Sequence, residues 1–452
     1  MRERTFPAAL RRGRERLPGN GTAARREQTR CRGPRSALRA RVQEENGVGI
    51  GGSASRCLTS SATSGESGTR AGRAPPGRPP LCGSEELAGH AHDRNKRPPQ
   101  AVGDPLACRA VNIPPDPETS LPTGKIPVGL LADLLSELPS SPPELLLGPR
   151  IGEDACAIRV PGGVLVAATD PITLTSEQIG RFSVIVNAND VAVMGVRPQW
   201  FLAVVLVPAG TTQATIRELF ASMRRSLVQI GAHLVGGHTE VTSAVTQPLV
   251  VGQMLGLAET GTFVTTGGVR PGDIVVQVGP TPIEGAALLA REAADLLGGL
   301  DPAILKAARE ALDRPGIAVV EQALLAAGLG ATALHDPTEG GLASGLHEMA
   351  GASRVCLRID REAILWFEPG ALVCSALGAD PWATIASGTL LAAFPSDHAY
   401  AALSAFSTQG HPAAAIGIAE SGSGVRDRES HPLPLPDGDE VARLLSRDLP
   451  AT

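Results

Sequence analysis

The sequence predicts an α/β or α+β fold in two blocks, and three observations point there. Strand-like and helix-like stretches alternate from residue 125 to about residue 420. A turn-rich segment, 265–273, separates an earlier set from a later one. Several strand-like runs end in acidic residues or glycine pairs, where layered α/β structures place ligand-binding loops.

In the first block, 126–138 carries apolar residues at helical spacing, and Pro127 suits a first helical turn. Strands are expected at 156–160 and 164–169, a small-residue helix at 182–194 and a strand at 200–207. A helix at 212–230 follows, with Thr211 or Thr212 as its N-cap, then a short buried strand at 233–235 and another at 248–257. The second block reads as strand 274–278, helices 284–298, 301–312 and 316–327, and strand 332–334. Helix 340–350, strand 354–359, helix 367–376, strand 389–394, helix 397–408 and strand 413–419 complete it. The domains expected are therefore 125–265 and 266–424, with a flexible tail at 425–452 that has one short helix near 439–445.

Composition narrows the function. Of 452 residues, 42% are hydrophobic but only 3% aromatic, with a single Tyr, so the core must be built from aliphatic residues. Base-stacking nucleic-acid modules need aromatic platforms, so a nucleic-acid partner is not expected. No uncharged apolar run is long enough to span a bilayer. The seven cysteines include no CxxC pair, which argues against zinc or a disulfide framework and for a reducing, cytoplasmic setting.

Charge is divided unevenly. Residues 1–110 hold 21 Lys and Arg against 10 Asp and Glu, whereas the remainder holds 20 against 36. The acidic body suits an enzyme that recruits Mg²⁺ to carry nucleotide phosphate. The stretch 1–124 is rich in Arg, Gly, Pro and Ser and has no apolar period, so it is expected to be a disordered extension. A basic arm and a transit peptide are alternatives. The simpler expectation is a start assigned too far upstream, since no Met lies between Met1 and Met194.

Five polar clusters carry the chemistry. Gly152-Glu-Asp-Ala155 precedes a strand and Thr169-Asp-Pro171 ends one. Asn187-Ala-Asn-Asp190 lies on a helix, and Gly236-Gly-His-Thr-Glu240 follows a strand. His335-Asp-Pro-Thr-Glu-Gly-Gly-Leu342 joins a strand to a helix. A carboxylate at a strand end stays ionised and can bind a hard cation, so Asp154, Asp170, Asp190 and Asp336 are candidate Mg²⁺ ligands. Gly236-Gly237 and Gly340-Gly341 let backbone approach a ligand, and the second pair opens a helix whose N–H groups favour phosphate. His238 and His335 are candidate acid–base groups or phosphate contacts. Taken singly, each has a plainer reading: Asp170 and Asp336 as turn-formers, Glu153 and Asp154 as a solvated loop, the glycine pairs as tight turns. Cys156, Cys356, Cys374 and His347 read as packing residues, and no Walker-type phosphate loop is present.

Taken in order, GEDACAI, TDPIT, NANDVAVMGVRP, VGGHTEV, RPGDIVVQVG, IEGAALLARE and HDPTEGGLASGLHEMA resemble the family of aminoimidazole ribonucleotide synthetase, thiamine monophosphate kinase, selenophosphate synthetase and HypE. The PTGKIP opening and the ALGADPWATIASGTLLAAF run are similar to HypE-type members in particular. The resemblance implies a PurM-like two-domain fold. An N-terminal domain forms a β-barrel with a second copy, and a larger C-terminal α/β domain packs beside it. It implies ATP and Mg²⁺ as cofactors, with Asp154, Asp170, Asp190 and Asp336 as metal and phosphate ligands. Asp154, Asp190, His238 and Asp336 would act in catalysis, while Asn189, Gly236, Gly237, Thr239, Glu240, Thr338, Gly340 and Gly341 would line the nucleotide. A homodimer, a small-molecule acceptor and other maturation proteins are the implied partners.

Some positions depart from the family pattern. HypE carries its carbamoyl group on a C-terminal Cys, whereas this sequence has no Cys after Cys374. Ser387-Gly388-Thr389 stands where the family has an acid, and Pro282 stands where Gly is common. The expectation is an ATP-dependent, HypE-like enzyme that phosphorylates or activates a small acceptor or carboxamide. A kinase of the thiamine monophosphate kinase type and a non-catalytic ATP-binding scaffold are the alternatives.

Overall fold

Hydrogen-bonded pairing gathers the strands into two six-stranded sheets, one per block. The computed structural model describes residues 126–173 and 178–445, so the expectations for the N-terminal extension and for 446–452 lie outside the described residues. The first sheet comprises β1 (Leu145–Leu147), β2 (Cys156–Val160), β3 (Gly163–Ile172), β4 (Trp200–Pro208), β5 (His233–Thr242) and β6 (Leu249–Ala258). Its order is β1-β2-β3-β6-β4-β5, antiparallel except for the parallel β4–β5 pair. The mixed α/β class expected from the sequence is present.

One face of this sheet is covered by helices α2 (Ile179–Ala192) and α3 (Gln213–Ile230), which follow the short α1 (Val128–Ser136) in the chain. Val164, Val166 and Ala168 of β3 and Phe201, Ala203 and Val205 of β4 are buried on that face. Burying a side chain such as Phe201 contributes about 2–3 kcal/mol. Twelve of the fourteen α2 residues are buried, so its small-residue composition reflects a helix enclosed on all sides. Small residues are required there: a Cβ on Gly180 would lie 2.2 Å from the Leu219 carbonyl oxygen of α3. Thr212 caps α3, its hydroxyl accepting from Thr215 N–H at 3.1 Å, and Gly231 ends it at φ 75°.

The second sheet has β7 (Ile274–Val278), β8 (Ala333–His335), β9 (Cys356–Ile359), β10 (Leu390–Phe394), β11 (Ala413–Glu420) and β12 (Gly424–Asp427), ordered β12-β9-β11-β7-β10-β8. Around it lie α4 (Glu284–Glu292), α5 (Pro302–Arg309), α6 (Val320–Gly328), α7 (Gly341–Ser353), α8 (Glu368–Leu377), α9 (Ala399–Thr408) and α10 (Glu440–Leu445). The expected helix 284–298 stops at Glu292, and a 3₁₀ turn, Ala294–Leu297, follows it. A continuous hydrophobic cluster runs from Phe201 through Val191 of α2 to Leu334 and Phe394, so the two sheets share a core.

The structure also differs from the expectation in two further places. The motif at 236–240 is not a turn after a short buried strand, because β5 continues through it to Thr242 and is exposed along almost its whole length. Nor is the segment after 424 a free tail. β12 pairs with β9, Leu433 is buried in the second core, and Val441 of α10 is buried against α4 and α8 neighbours. The short helix expected near 439–445 is α10, whereas the spaced apolar residues among Pro and Asp before it have no recognisable period.

Candidate active site

Three of the four aspartates singled out from sequence converge where the two sheets meet. Asp154 lies in the loop before β2, Asp170 near the end of β3, and Asp336 directly after β8. Asp336 is 3% exposed. Burial, and then the charges of Asp154 and Asp170 facing it, push its carboxyl well above the usual carboxylate range, against the opposing pull of His335.

His335 sits inside this group. Its Nδ1 is 2.9 Å from Asp154 Oδ2 and its Nε2 is 2.8 Å from Glu348 Oε2 of α7. Burial alone would lower its pKa, but the charges and hydrogen bonds of Asp154 and Glu348 outweigh that and raise it well above the ordinary value. The preceding carboxylate, Glu153, accepts from Thr266 N–H at 3.1 Å and Gly267 N–H at 3.2 Å. Burial raises its pKa against those two bonds. The 152–155 loop of the first block is thereby tied at two consecutive residues to the second.

Helix α2 supplies the backing. Asn187 holds the backbone of Asp170, and Asp190 lies one turn further on, 6% exposed. Asn189, 1% exposed, donates from Nδ2 to the Ile317 carbonyl and accepts at Oδ1 from Val319 N–H, both at 2.9 Å. Both ends of its amide therefore join α2 to the second block, a use other than the expected phosphate contact.

The remaining expected residues lie elsewhere. Register places Gly237 in one row with Ala203, Gly252 and Asp170, three strand spacings from Asp170, roughly 14 Å. His238 pairs with Val204 and shares the uncovered face of the sheet with Glu240, 3.3 Å away, opposite the face that Asp170 shares with α2. His238, Thr239 and Glu240 are exposed and are not brought to the carboxylate group within one chain. A Cβ on Gly237 would lie 2.0 Å from the Ala203 carbonyl, so strand packing requires that glycine. Gly236 has more room, with Leu202 at 3.5 Å.

At the start of α7, Gly340 and Gly341 adopt φ of 76° and 66°. A Cβ on Gly341 would meet the Trp382 carbonyl at 2.5 Å. The Gly340 N–H donates to Asp439 Oδ2 at 2.9 Å, and the Thr338 carbonyl accepts from Gly341 and Ala386 N–H. Burial pushes the Asp439 carboxyl up to about 6 against the hydrogen bonds of Gly340 and Val441. Asp439 thus caps a helix start that the sequence assigned to phosphate.

The sequence reading passed over Glu348 and Asp439 and preferred His238 to His335. Glu348 was legible in principle, standing in the same helical motif as His347, whose Nε2 contacts the Leu433 carbonyl at 2.9 Å. Among the described residues, no group of three or more His, Cys, Asp or Glu side chains is drawn close enough to hold a metal ion by itself. Nor is any helix among them long and apolar enough to cross a membrane.

Two family descriptions match this arrangement: AIR synthase related protein, N-terminal domain, over residues 152–258, and AIR synthase related protein, C-terminal domain, over 270–428. The chain belongs to the AIR synthase-related family. Within that family it is 31% identical over 312 residues to the carbamoyl dehydratase HypE of Rhodobacter capsulatus, covering 66% of this chain and 88% of that protein. Among solved structures, a HypE–HypF complex superposes with a TM-score of 0.53 at 23% identity, covering 64% of this chain and 94% of that one. HypE in complex with ATP gives 0.51 at 24%, covering 64% and 91%. At these identities the two structures establish a shared fold. The two family segments meet at 258–270, beside the sheet boundary, and the converging aspartates are drawn from both.

Proposed function

We propose that this AIR synthase-related chain is an ATP-using, HypE-like enzyme that holds the nucleotide phosphates through Mg²⁺ at Asp154, Asp170 and Asp336. The single observation that carries this reading is Asp336, a buried carboxyl faced by two others. Repulsion of this kind is offset when a divalent cation lies between the groups. Mg²⁺ is commonly held by one or two carboxylates and completes its shell with phosphate oxygens and water. That habit suits a site whose carboxylates face one another without closing into a cage. Asp190, behind Asp170 on α2, is assigned to the same group. The cation would supply electrostatic stabilisation of a transferring phosphoryl group, and the carboxylates would set its place.

The acceptor in this reading is a small carboxamide-like or hydroxyl-bearing molecule. Supporting the carboxamide side, the R. capsulatus relative is a carbamoyl dehydratase. A mobile carrier thiol is not among the described residues, since Cys356 and Cys374 are buried and Cys156 sits in β2. A carbamoyl-bearing thiol would therefore come from outside them, and a maturation protein is the partner class suggested by the HypE–HypF neighbour. The uncovered sheet face supports a homodimer.

The test is ATP binding and turnover by the full chain, with Mg²⁺ and with EDTA. Asp336→Ala and Asp154→Ala are each expected to lower magnesium-dependent turnover by about 100-fold or more. Absence of both binding and turnover in the unmodified chain would overturn the proposal.

A further inference from the structure

The geometry points to His335 as the positioning residue for Asp154, a fixed pin between the two blocks of the fold. The inference rests on the nucleotide reading above and assigns the histidine a role within it.

The ring is held at both edges. His335 meets a carboxylate oxygen at each ring nitrogen, at 2.9 Å to Asp154 and 2.8 Å to Glu348. Both ring nitrogens are therefore engaged by side chains of the protein. A ring 2% exposed and held at both edges cannot turn toward a substrate. With both nitrogens occupied, direct contact with a phosphate is a poor use for it.

Positioning is a good one. The bond takes one oxygen of Asp154 and leaves the other directed by the first. Glu153 fixes the loop backbone through Thr266 and Gly267, so His335 has only the Asp154 side-chain rotamer left to set. Glu348, on the far side of the ring, stops it from rotating out of place. The loop has little slack: Gly152 has φ 81°, and a Cβ there would lie 3.2 Å from the Glu348 carbonyl oxygen. Asp336 follows His335 in the chain, so the ring's anchor also carries the second carboxylate. A ligand group from one block is thereby set against a ligand group from the other, as cation binding across a domain boundary requires.

The experiment is calorimetric titration of the full chain with ATP, in Mg²⁺ and in EDTA, together with amide hydrogen exchange over 152–156. His335→Gln is expected to lower ATP affinity in Mg²⁺ by more than tenfold, to change affinity in EDTA by less than about twofold, and to speed exchange in the loop. Glu348→Gln, whose side-chain oxygen still accepts from Nε2, is expected to keep the magnesium-dependent gain. A folded His335→Gln chain that keeps the full gain overturns the inference. So does a Glu348→Gln chain that loses as much as His335→Gln, because charge and not the held ring would then matter. If His335→Gln does not fold, Glu348→Ala, which frees the ring, should lose the gain several-fold, and no loss overturns the inference. If the unmodified chain binds no ATP, the nucleotide proposal falls. Loop exchange then still decides the pin, with unchanged rates in His335→Gln counting against it.

Discussion

Asn187 closes on the backbone of Asp170 as a partner strand would. Its Oδ1 accepts from Asp170 N–H at 2.8 Å, and its Nδ2 donates to the Asp170 carbonyl at 3.2 Å and the Ser183 carbonyl at 2.9 Å. The side chain is fully buried, and a Cβ on Gly252 would come within 2.3 Å of Nδ2. Replacing Asn187 by Leu keeps the volume but leaves buried backbone groups unpaired. The expected cost is about 2–4 kcal/mol in urea unfolding. Displacement of Asp170 should also weaken magnesium-dependent ATP binding. A variant of unchanged stability would show that the amide is not what holds this strand end.

Asn189, two residues further along α2, makes the corresponding clamp to the other block through Ile317 and Val319. Asn189→Ala should cost about 2–3 kcal/mol by the same reasoning. It should also loosen the coupling between blocks, so that calorimetric unfolding broadens or splits into two transitions. A single sharp transition at the original temperature would exclude the clamp as a source of cooperativity.

The two asparagines also show where sequence reading reached its limit. The NAND motif was visible, and its burial followed from a helix made of small residues. Which partner each amide meets depends on the packing of α2 against β3 and against residues 317–319, more than a hundred positions away for Asn189. The aspartates were easier, because strand ends are read from local alternation, and Asp170 lies near one and Asp336 directly after one. The Gly236–Glu240 motif misled because glycine pairs suggest a turn, whereas here Gly237 serves the close β4–β5 pairing. Asp439 was hidden because a carboxylate in a Pro-rich stretch carries no period from which docking can be inferred.

Glu284 gives a pH-dependent prediction. Burial raises its pKa from 4.5 to about 7, against a hydrogen bond from Ser387 and with the charges of Glu339 and Asp439 adding to the rise. The folded chain therefore binds this proton more tightly than the unfolded chain does. Its contribution is fully present below about pH 4.5 and is lost as pH climbs through 7. Asp439, raised from 3.8 to about 6, acts in the same direction over a lower window. Glu284→Gln should accordingly melt at a higher temperature than the unmodified chain at pH 8. Allowing for its partial contact with solvent, the gain is on the order of 2 kcal/mol. At pH 4.5 the gain should vanish. An equal gain at both pH values would assign the effect to packing instead of charge.

The edge strand β5 makes the last prediction. Leu234, Val235 and Val241 are 44%, 54% and 54% exposed, and on the neighbouring β4 Trp200 and Val204 are 36% and 38% exposed. β5 lies at the end of its sheet, beside β4, and among the described residues no strand pairs with its outer N–H and C=O groups. Soluble proteins usually protect such an edge with Lys, Pro or a bulge, yet in β5 the charge is limited to Glu240 and the titratable His233 and His238. A second copy of the chain is the simplest cover, and it would place His238 and Glu240 at the contact between copies. Light scattering of the full chain should then give the mass of a dimer. Trp200→Lys combined with Val204→Glu should give a monomer with unchanged far-ultraviolet dichroism, because both side chains lie on the uncovered face of the sheet. An unmodified chain that is monomeric at tens of micromolar would mean that this edge is covered by something other than a second copy.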